Sequence, residues 1–197
     1  MPSADSPHTA DPAADGANRP ASDDRAANSL VIRPLSPDSP SDLESTRAIY
    51  NHEVEHGVAT FDIEPVGADA WRAFALRHNR ANHPLVVAEC DGVVRGYACL
   101  SPYRDKDAFD PTVELSVYVH PDGRGRGIGA ALMDHLIRTA RSDERTHRIV
   151  SVITGGNDAS ERLHERFGFE YCGTLREVGF KFGRWLDIRH WELDVCE

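Results

Sequence analysis

The sequence predicts one domain of the α/β class, with a mixed sheet that combines antiparallel and parallel strands. Its 197 residues are enough for one sizeable hydrophobic core but too few for two comfortable ones. Apolar periodicities and turn signals give the order β-α-α-β-β-β-α-β-α-β-β, which is seven strands and four helices. Because a hairpin comes early and strand-helix-strand units come late, we expect both kinds of strand pairing.

Residues 1–29 are expected to form a disordered acidic tail, and the domain to span residues 30–197. The tail is rich in Ala, Asp, Ser and Pro and has no apolar periodicity, so it cannot bury enough surface to offset its ordering entropy. It lacks the basic and apolar regions of a signal peptide, and no run in the chain is as long as a membrane span. We therefore expect a soluble, cytoplasmic protein.

The first half of the domain opens with the strand SLVIRPL, followed by two helices. The first helix is predicted to begin at Ser41 or Asp42 and to end at Gly57, and the second covers about residues 68–80. The run PLVVAECDGVVRGYACLSPY then contains two apolar stretches joined by Asp91-Gly92, which is a strong hairpin signal.

The second half begins with the strand TVELSVYVH, which leads directly into the glycine-rich stretch DGRGRGIGAA at residues 122–131. A helix follows from Ile128 to about Arg141, and then the strand RIVSVIT. The last helix should start at Asn157 or Asp158 and stop at Gly168. Two further strands complete the domain.

The glycine-rich stretch lies between a strand and a helix, where backbone amides attract phosphate. A nucleoside triphosphate loop would need a lysine followed by Ser or Thr, and none is near. Gly125, Gly127 and Ala130 fit the dinucleotide fingerprint, but that motif belongs to the first strand of its domain and needs an acidic residue after the next one. RNA-binding Arg-Gly tracts are basic, whereas this chain has a net charge of −10. The stretch taken alone could also be a plain turn.

Two patterns that could suggest a metal do not lead us to predict one. Cys90, Cys99, Cys172 and Cys196 show no C-x-x-C spacing. Residues 52–56 match H-E-x-x-H, but the helix ends directly after them and no third ligand follows at the usual spacing. We expect no metal, no nucleic acid and no membrane partner.

Four longer segments help to decide between these possible roles of the glycine-rich stretch. They are ATFDIEP, GYACLSPYRDKDAFDPTVELSVYV, NDASERLHERFGF and VGFKFGRWLD. Together with the glycine stretch they resemble the GCN5-related N-acetyltransferases (GNAT), specifically the phosphinothricin and methionine sulfoximine N-acetyltransferase branch. The resemblance covers about residues 30–195. It implies the GNAT fold: a mostly antiparallel twisted sheet with acyl-CoA in a cleft at the central strands.

The resemblance further implies a homodimeric enzyme that moves the acetyl group of acetyl-CoA directly to the amino group of a small amino acid or analogue. Two alternatives stay open. One is an enzyme that acetylates protein N-termini or lysines, and the other is an acyl-CoA-binding module without activity.

By the same resemblance, acetyl-CoA would lie on the glycine stretch and the strand before it. Backbone N–H groups would wrap the pyrophosphate, because glycine permits close approach. The strand would pair with the pantetheine amides. Asn157 would face the pantetheine arm, although an N-cap would look the same from sequence. The expected cofactor residues are Val117, Tyr118, Val119, Arg124, Gly125, Arg126, Gly127, Ile128, Gly129, Ala130 and Asn157.

Glu114 and His164 are the expected catalytic residues. The attacking amine arrives as an ammonium, so a base is needed. Strand alternation places Glu114 on the face opposite the apolar residues, and a carboxylate on a covered strand is costly unless paired or used. Its position also matches the base that the resemblance implies. His164 stands where many relatives have the tyrosine that protonates the leaving thiolate, and it could act as acid, base or structural residue. Backbone N–H groups of a bulged strand would hold the oxyanion.

The expected substrate region contains both lysines of the chain, Lys106 and Lys181, with Arg104 nearby. Cations there would suit an amino-acid carboxylate and a phosphinyl, sulfoximine or sulfone oxygen. Phe61 and Phe109 are expected to form the pocket walls.

Overall fold

The computed structural model describes residues 29–196, so the expectation for the N-terminal tail lies almost wholly outside the described residues. The described part contains seven strands and four α-helices in the predicted order. The strands are β1 (Leu30–Pro34), β2 (Leu85–Cys90), β3 (Val93–Pro102), β4 (Thr112–Val119), β5 (Arg148–Thr154), β6 (Glu170–Lys181) and β7 (Arg184–Asp194). The helices are α1 (Pro40–His56), α2 (Ala68–Leu76), α3 (Ile128–Arg141) and α4 (Asp158–Arg166).

All seven strands form one sheet in the order β1-β2-β3-β4-β5-β7-β6. Every neighbouring pair is antiparallel except β4 and β5, which run parallel and are connected through α3. The prediction of a mixed, mostly antiparallel sheet is confirmed.

Each face of the sheet is covered by two helices. On one face α1 and α2 pack on β2 and β3 around Ile49, Trp71 and Tyr97. On the other, α3 contributes an apolar stripe that includes Leu132 and Leu136, and α4 packs against the same cluster. This stripe recurs every three or four residues, which is the period that the sequence predicted for α3.

Helix α1 begins one or two residues before the predicted start. Ser39 is the N-cap, its hydroxyl accepting a 3.3 Å hydrogen bond from the Asp42 amide, and Pro40 follows at a position that suits proline. The Asp42 carboxylate is buried and accepts two bonds from the Arg33 guanidinium of β1, at 2.7 and 2.9 Å. This pair joins the start of α1 to the edge of the sheet.

Helix α2 ends at Leu76, four residues earlier than predicted. Asn79 has a φ of 56°, which is left-handed and does not continue a helix. Its side chain instead donates to the Leu35 carbonyl at 2.9 Å and accepts from the Leu85 amide at 2.8 Å. The segment after α2 is thus shaped by contacts with β1 and β2 that the local sequence does not reveal.

Three other predicted boundaries are confirmed. Asp91 and Gly92 form the β2–β3 turn with φ values of 52° and 78°, as an Asp-Gly hairpin requires. Helix α3 spans Ile128–Arg141. Asn157 is the N-cap of α4, and its side chain accepts from the Ser160 amide at 3.3 Å. None of the helices within residues 29–196 is long and apolar enough to cross a membrane.

Candidate active site

A cleft opens in the middle of the sheet, where β4 and β5 separate. The parallel ladder ends at the pair Glu114–Val150, while β4 remains paired with β3 as far as Val119 with no shift in register. The expected strand bulge is therefore absent from the β3–β4 ladder, and the opening arises because β5 leaves β4. One edge of β4, at residues 115–119, faces a cavity of about 600 Å³.

This cleft brings together nearly all the residues predicted to bind the cofactor. Those that line it are Val117, Tyr118, Val119, Arg124, Gly125, Gly127, Ile128, Gly129, Ala130 and Asn157. Arg126 belongs to the same loop but is not among the lining residues. Asn157 lines the cleft while also capping α4, so the two predicted descriptions of this residue are compatible.

The glycine loop presents a helix N-terminus to the cleft. Gly125 and Gly127 have φ values of 73° and 80°. Gly127 is the N-cap of α3 and, having no side chain, it offers no acceptor to the amides of the first turn. Neither glycine has another group within 4 Å of the place where a Cβ would stand. Backbone donors and the positive end of the α3 dipole thus face open space, an arrangement that fits an anionic phosphate group.

Glu114 belongs to the last β4–β5 pair and directly precedes Leu115, the first β4 residue that lines the cleft, but it is not itself among the lining residues. It is half-buried, and this burial raises the pKa of its carboxyl above the ordinary value, while the charge of Arg104 partly opposes the rise. A carboxylate with a raised pKa is a stronger base than an exposed glutamate. Glu114 is therefore suited to accept a proton from an amine at the mouth of the cleft.

His164 lines the cleft from α4 and is only 5% exposed. Its Nδ1 lies 2.7 Å from the Ser160 carbonyl, and since a carbonyl can only accept, Nδ1 carries the proton. Nε2 is buried and has no hydrogen-bond partner among the described residues. Burial also lowers the pKa of the ring, so at neutral pH it is uncharged and Nε2 is free to accept a hydrogen bond or a proton.

Tyr118 lines both this cleft and a second cavity of about 330 Å³ on the α1–α2 side of the sheet. Its ring stacks on Tyr97 at 5.2 Å and meets the Tyr50 ring edge-on at 5.3 Å, and its hydroxyl donates to the Ala59 carbonyl at 3.5 Å. Burial raises the pKa of Tyr118 well above the usual range. Ser116 also lines both cavities, so the two spaces meet along β4.

Lys181, one of the predicted substrate cations, is buried and already hydrogen-bonded. Its side chain is 3% exposed, and its Nζ donates to the carbonyls of Glu53 and Thr60 at 3.2 and 2.9 Å. Burial lowers the pKa of its ammonium, although Glu53 and Asp62 oppose that effect. Lys181 thus ties the end of α1 and the segment after it to β6.

The other predicted substrate residues are exposed, and none of them is among the residues that line this cleft or the second cavity. Phe61 packs its ring against Gly179 of β6, where any Cβ would collide with it. Arg104, Lys106 and Phe109 are exposed in the β3–β4 connection, just before the strand that carries Glu114. The guanidinium of Arg104 lies 4.9 Å from the centre of the Tyr103 ring.

Glu53 is a cleft residue that the sequence analysis missed. It is 9% exposed, lines the cleft, and forms an ion pair with Arg124 of the glycine loop. A signal was present, because Glu53 continues the buried stripe of α1 that runs through Thr46 and Ile49. It is also the glutamate of the H-E-x-x-H pattern, whose two histidine rings stack on each other at 4.7 Å.

Comparison with known proteins agrees with this geometry. The model of the acetyltransferase (GNAT) family matches residues 46–169. The L-methionine sulfoximine/L-methionine sulfone acetyltransferase of Salmonella typhimurium is 40% identical over 157 residues, which is 80% of this chain and 91% of that protein.

Two solved structures extend the likeness to three dimensions. A GNAT superfamily phosphinothricin acetyltransferase from Sinorhizobium meliloti, in complex with acetyl-CoA, is 33% identical with a TM-score of 0.79, covering 84% of this chain and 88% of that one. The ribosomal-protein-alanine N-acetyltransferase from Brucella melitensis is 40% identical with a TM-score of 0.78, covering 83% of this chain and 99% of that one.

Proposed function

The chain belongs to the acetyltransferase (GNAT) family, and we propose that it acetylates the amino group of a small amino acid or analogue of the methionine sulfoximine, methionine sulfone or phosphinothricin type. It is an acetyl-CoA-dependent N-acetyltransferase. The observation that carries the proposal is the position of Glu114 at the end of the β4–β5 ladder. This position puts a half-buried carboxyl next to the edge of β4 that is unpaired and faces the cleft.

The residues of the cleft fit acetyl-CoA, which supplies an activated acetyl thioester when bound. The backbone of the glycine loop and the N-terminus of α3 would hold its pyrophosphate. The unpaired edge of β4 at residues 117–119 would hold the pantetheine arm through backbone hydrogen bonds.

Glu114 accepts the proton of the substrate ammonium and so creates the neutral amine that attacks. Its raised pKa improves the match between the carboxyl and an operating pH near neutral. No covalent intermediate on the protein is required, since the amine attacks the thioester carbonyl directly: the amide C–N bond forms as the thioester C–S bond breaks, CoA leaves as the thiolate, and the nitrogen gives up its second proton to solvent.

His164 serves as a hydrogen-bond or proton acceptor through Nε2. This assignment is supported by the Nδ1 bond to Ser160 and by the burial that keeps the ring neutral. An imidazolium that donates a proton to the leaving thiolate would need the opposite protonation state, so we do not assign His164 as a general acid.

Substrate recognition falls to the exposed cations of the β3–β4 connection and to the aromatic residues nearby. Arg104 and Lys106 would meet carboxylate or phosphinyl, sulfoximine or sulfone oxygens, and Phe61 and Phe109 would enclose the side chain. Lys181 acts indirectly, because its ammonium is bound to backbone carbonyls and holds the segment that leads to Phe61.

The test is release of CoA in the presence of free amino acids, phosphinothricin, methionine sulfoximine and methionine sulfone. Turnover of one or more of these compounds is expected. Acetyl-CoA binding without turnover of any amine would leave only an acyl-CoA-binding module. A peptide with an N-terminal alanine belongs in the same panel, because one similar structure is a ribosomal-protein-alanine N-acetyltransferase.

A cytoplasmic homodimer is part of the proposal. Acetyl-CoA is an intracellular metabolite, which supports the location. The β6–β7 hairpin exposes more than half of several large apolar side chains, and such patches mark association surfaces. They are Tyr171, Leu175, Val178, Phe180, Phe182 and Trp185. Sedimentation of the wild type and of Trp185→Glu tests this, with a shift from dimer to monomer expected in the variant.

A further inference from the structure

The carboxylate of Glu53 reaches across the cleft from the last turn of α1 to the glycine loop, 71 residues further along the chain, and pairs with the guanidinium of Arg124. Both residues line the cleft. The carboxylate is almost buried, whereas the Arg124 side chain is 55% exposed. The pair therefore links the two sides of the cleft through one exposed and one nearly buried charged side chain.

Glu53 is held where it stands by its surroundings. Gly57 packs against its carboxylate, and any Cβ at this position would collide with Oε2. The Glu53 carbonyl accepts a hydrogen bond from the buried ammonium of Lys181 at 3.2 Å. The Arg124 side chain, in contrast, makes one other hydrogen bond among the described residues, from Nε to the Val119 carbonyl at 3.4 Å. In a rearrangement of this pair, Arg124 is the partner that moves.

Arg124 is also the first residue of the loop proposed to hold the pyrophosphate. A guanidinium binds phosphate oxygens in the same forked geometry with which it binds a carboxylate, so both anions compete for the same N–H donors. We propose that Glu53 is an internal competitor of the cofactor: it occupies Arg124 in the free enzyme and thereby weakens the binding of CoA. The inference rests on the proposed function, in which this loop binds the pyrophosphate.

The opposite role is the clear alternative. Glu53 could hold Arg124 in the orientation that the pyrophosphate needs, in which case its removal would weaken CoA binding. The sign of the change in affinity therefore distinguishes competition from positioning.

The experiment measures the dissociation constant of CoA by calorimetry, without an amine substrate, for the wild type and Glu53→Gln. We expect CoA to bind about 5-fold more tightly to the variant, which is the range for loss of one charged hydrogen bond near the surface. Glu55→Gln is the matched control, since Glu55 lies on the same turn with its side chain 52% exposed and should leave the constant unchanged.

Two further measurements make the test specific. In an Arg124→Gln background, Glu53→Gln should not increase the affinity for CoA, because the competition requires the guanidinium. Pantetheine, which lacks the pyrophosphate, should bind the wild type and Glu53→Gln equally. The inference is contradicted if Glu53→Gln increases the affinity for CoA in the absence of the Arg124 guanidinium, or if it increases the affinity for pantetheine.

Failure of this inference can be told from failure of the proposed function. Weaker or unchanged CoA binding by Glu53→Gln, with normal binding by the wild type, overturns the competitor role alone. A wild type that does not bind CoA at all overturns both.

Discussion

Glu114 and Val150 form the last pair between the parallel strands β4 and β5. Directly beyond this pair the backbone of β4 is exposed to the cleft, while its other edge stays paired with β3. The carboxyl proposed as the base and the strand edge proposed to hold the acyl donor therefore belong to one continuous strand. This relationship leads to the first two predictions.

Replacement of Glu114 by Gln should lower kcat/KM by about 10²- to 10⁴-fold, because general bases contribute on that scale. Binding of CoA should be unchanged, which calorimetry would show. The variant should also be at least as stable as the wild type at neutral pH, since a carboxyl with a raised pKa disfavours the folded state once ionised. A variant that keeps the full rate would remove Glu114 from the mechanism.

The pH dependence of the reaction rate should change when Arg104 is replaced. The rate rises as Glu114 loses its proton, and the Arg104 charge lowers the pKa of that carboxyl. Arg104→Gln should therefore move the acidic limb of the pH–rate profile to higher pH. Lys106→Gln removes an exposed cation two residues away and serves as the control, whose acidic limb should not move. Equal shifts in both variants would point to overall charge rather than to Arg104.

The left-handed glycine of the loop provides a third prediction. Gly127→Ala should cost about 1 kcal/mol of stability, because alanine disfavours this backbone conformation, and weaken CoA binding by more than about tenfold, because the Cβ would enter the phosphate-binding space. Gly92→Ala is the matched control, with a φ of 78° and open space around the Cβ position, but in the β2–β3 hairpin. It should lose the same stability and bind CoA normally. A matching loss of affinity in Gly92→Ala would contradict the role of the loop.

The ion pair between Arg33 and Asp42 should matter for folding. Asp42→Asn is expected to lower the free energy of unfolding by about 2 kcal/mol, since the buried partner of a charge pair is lost. The hydrogen bonds from Arg33 lower the pKa of the Asp42 carboxyl. The ionised Asp42 carboxylate therefore stabilises the folded state fully above its unfolded pKa of about 3.9, and this stabilisation is lost as the pH falls through the lower pKa of the folded state. Urea unfolding at several pH values should show the two proteins converging in acid.

The local structure around the candidate site was predicted where it depends on neighbouring residues in the sequence. The glycine loop, the N-cap Asn157 and the alternation that separates Glu114 from the apolar face of β4 each follow from residues next to one another in the chain, and the structure has this loop, this cap and this alternation. Lys181 shows the limit of such reasoning. Its presence in the segment GFKFGRWLD could not reveal that its ammonium is buried against the carbonyls of Glu53 and Thr60, more than 100 residues away.

The class of the fold, the order of its elements and the loop at the start of α3 could be predicted from the sequence, because hydrophobic period, turn residues and glycine act over a few residues. The point where β5 leaves β4, the early end of α2 and the pairing of Glu53 with Arg124 across the cleft became visible in the folded chain alone. These features depend on contacts between distant segments, whose energies are set by packing and burial and not by neighbouring residues.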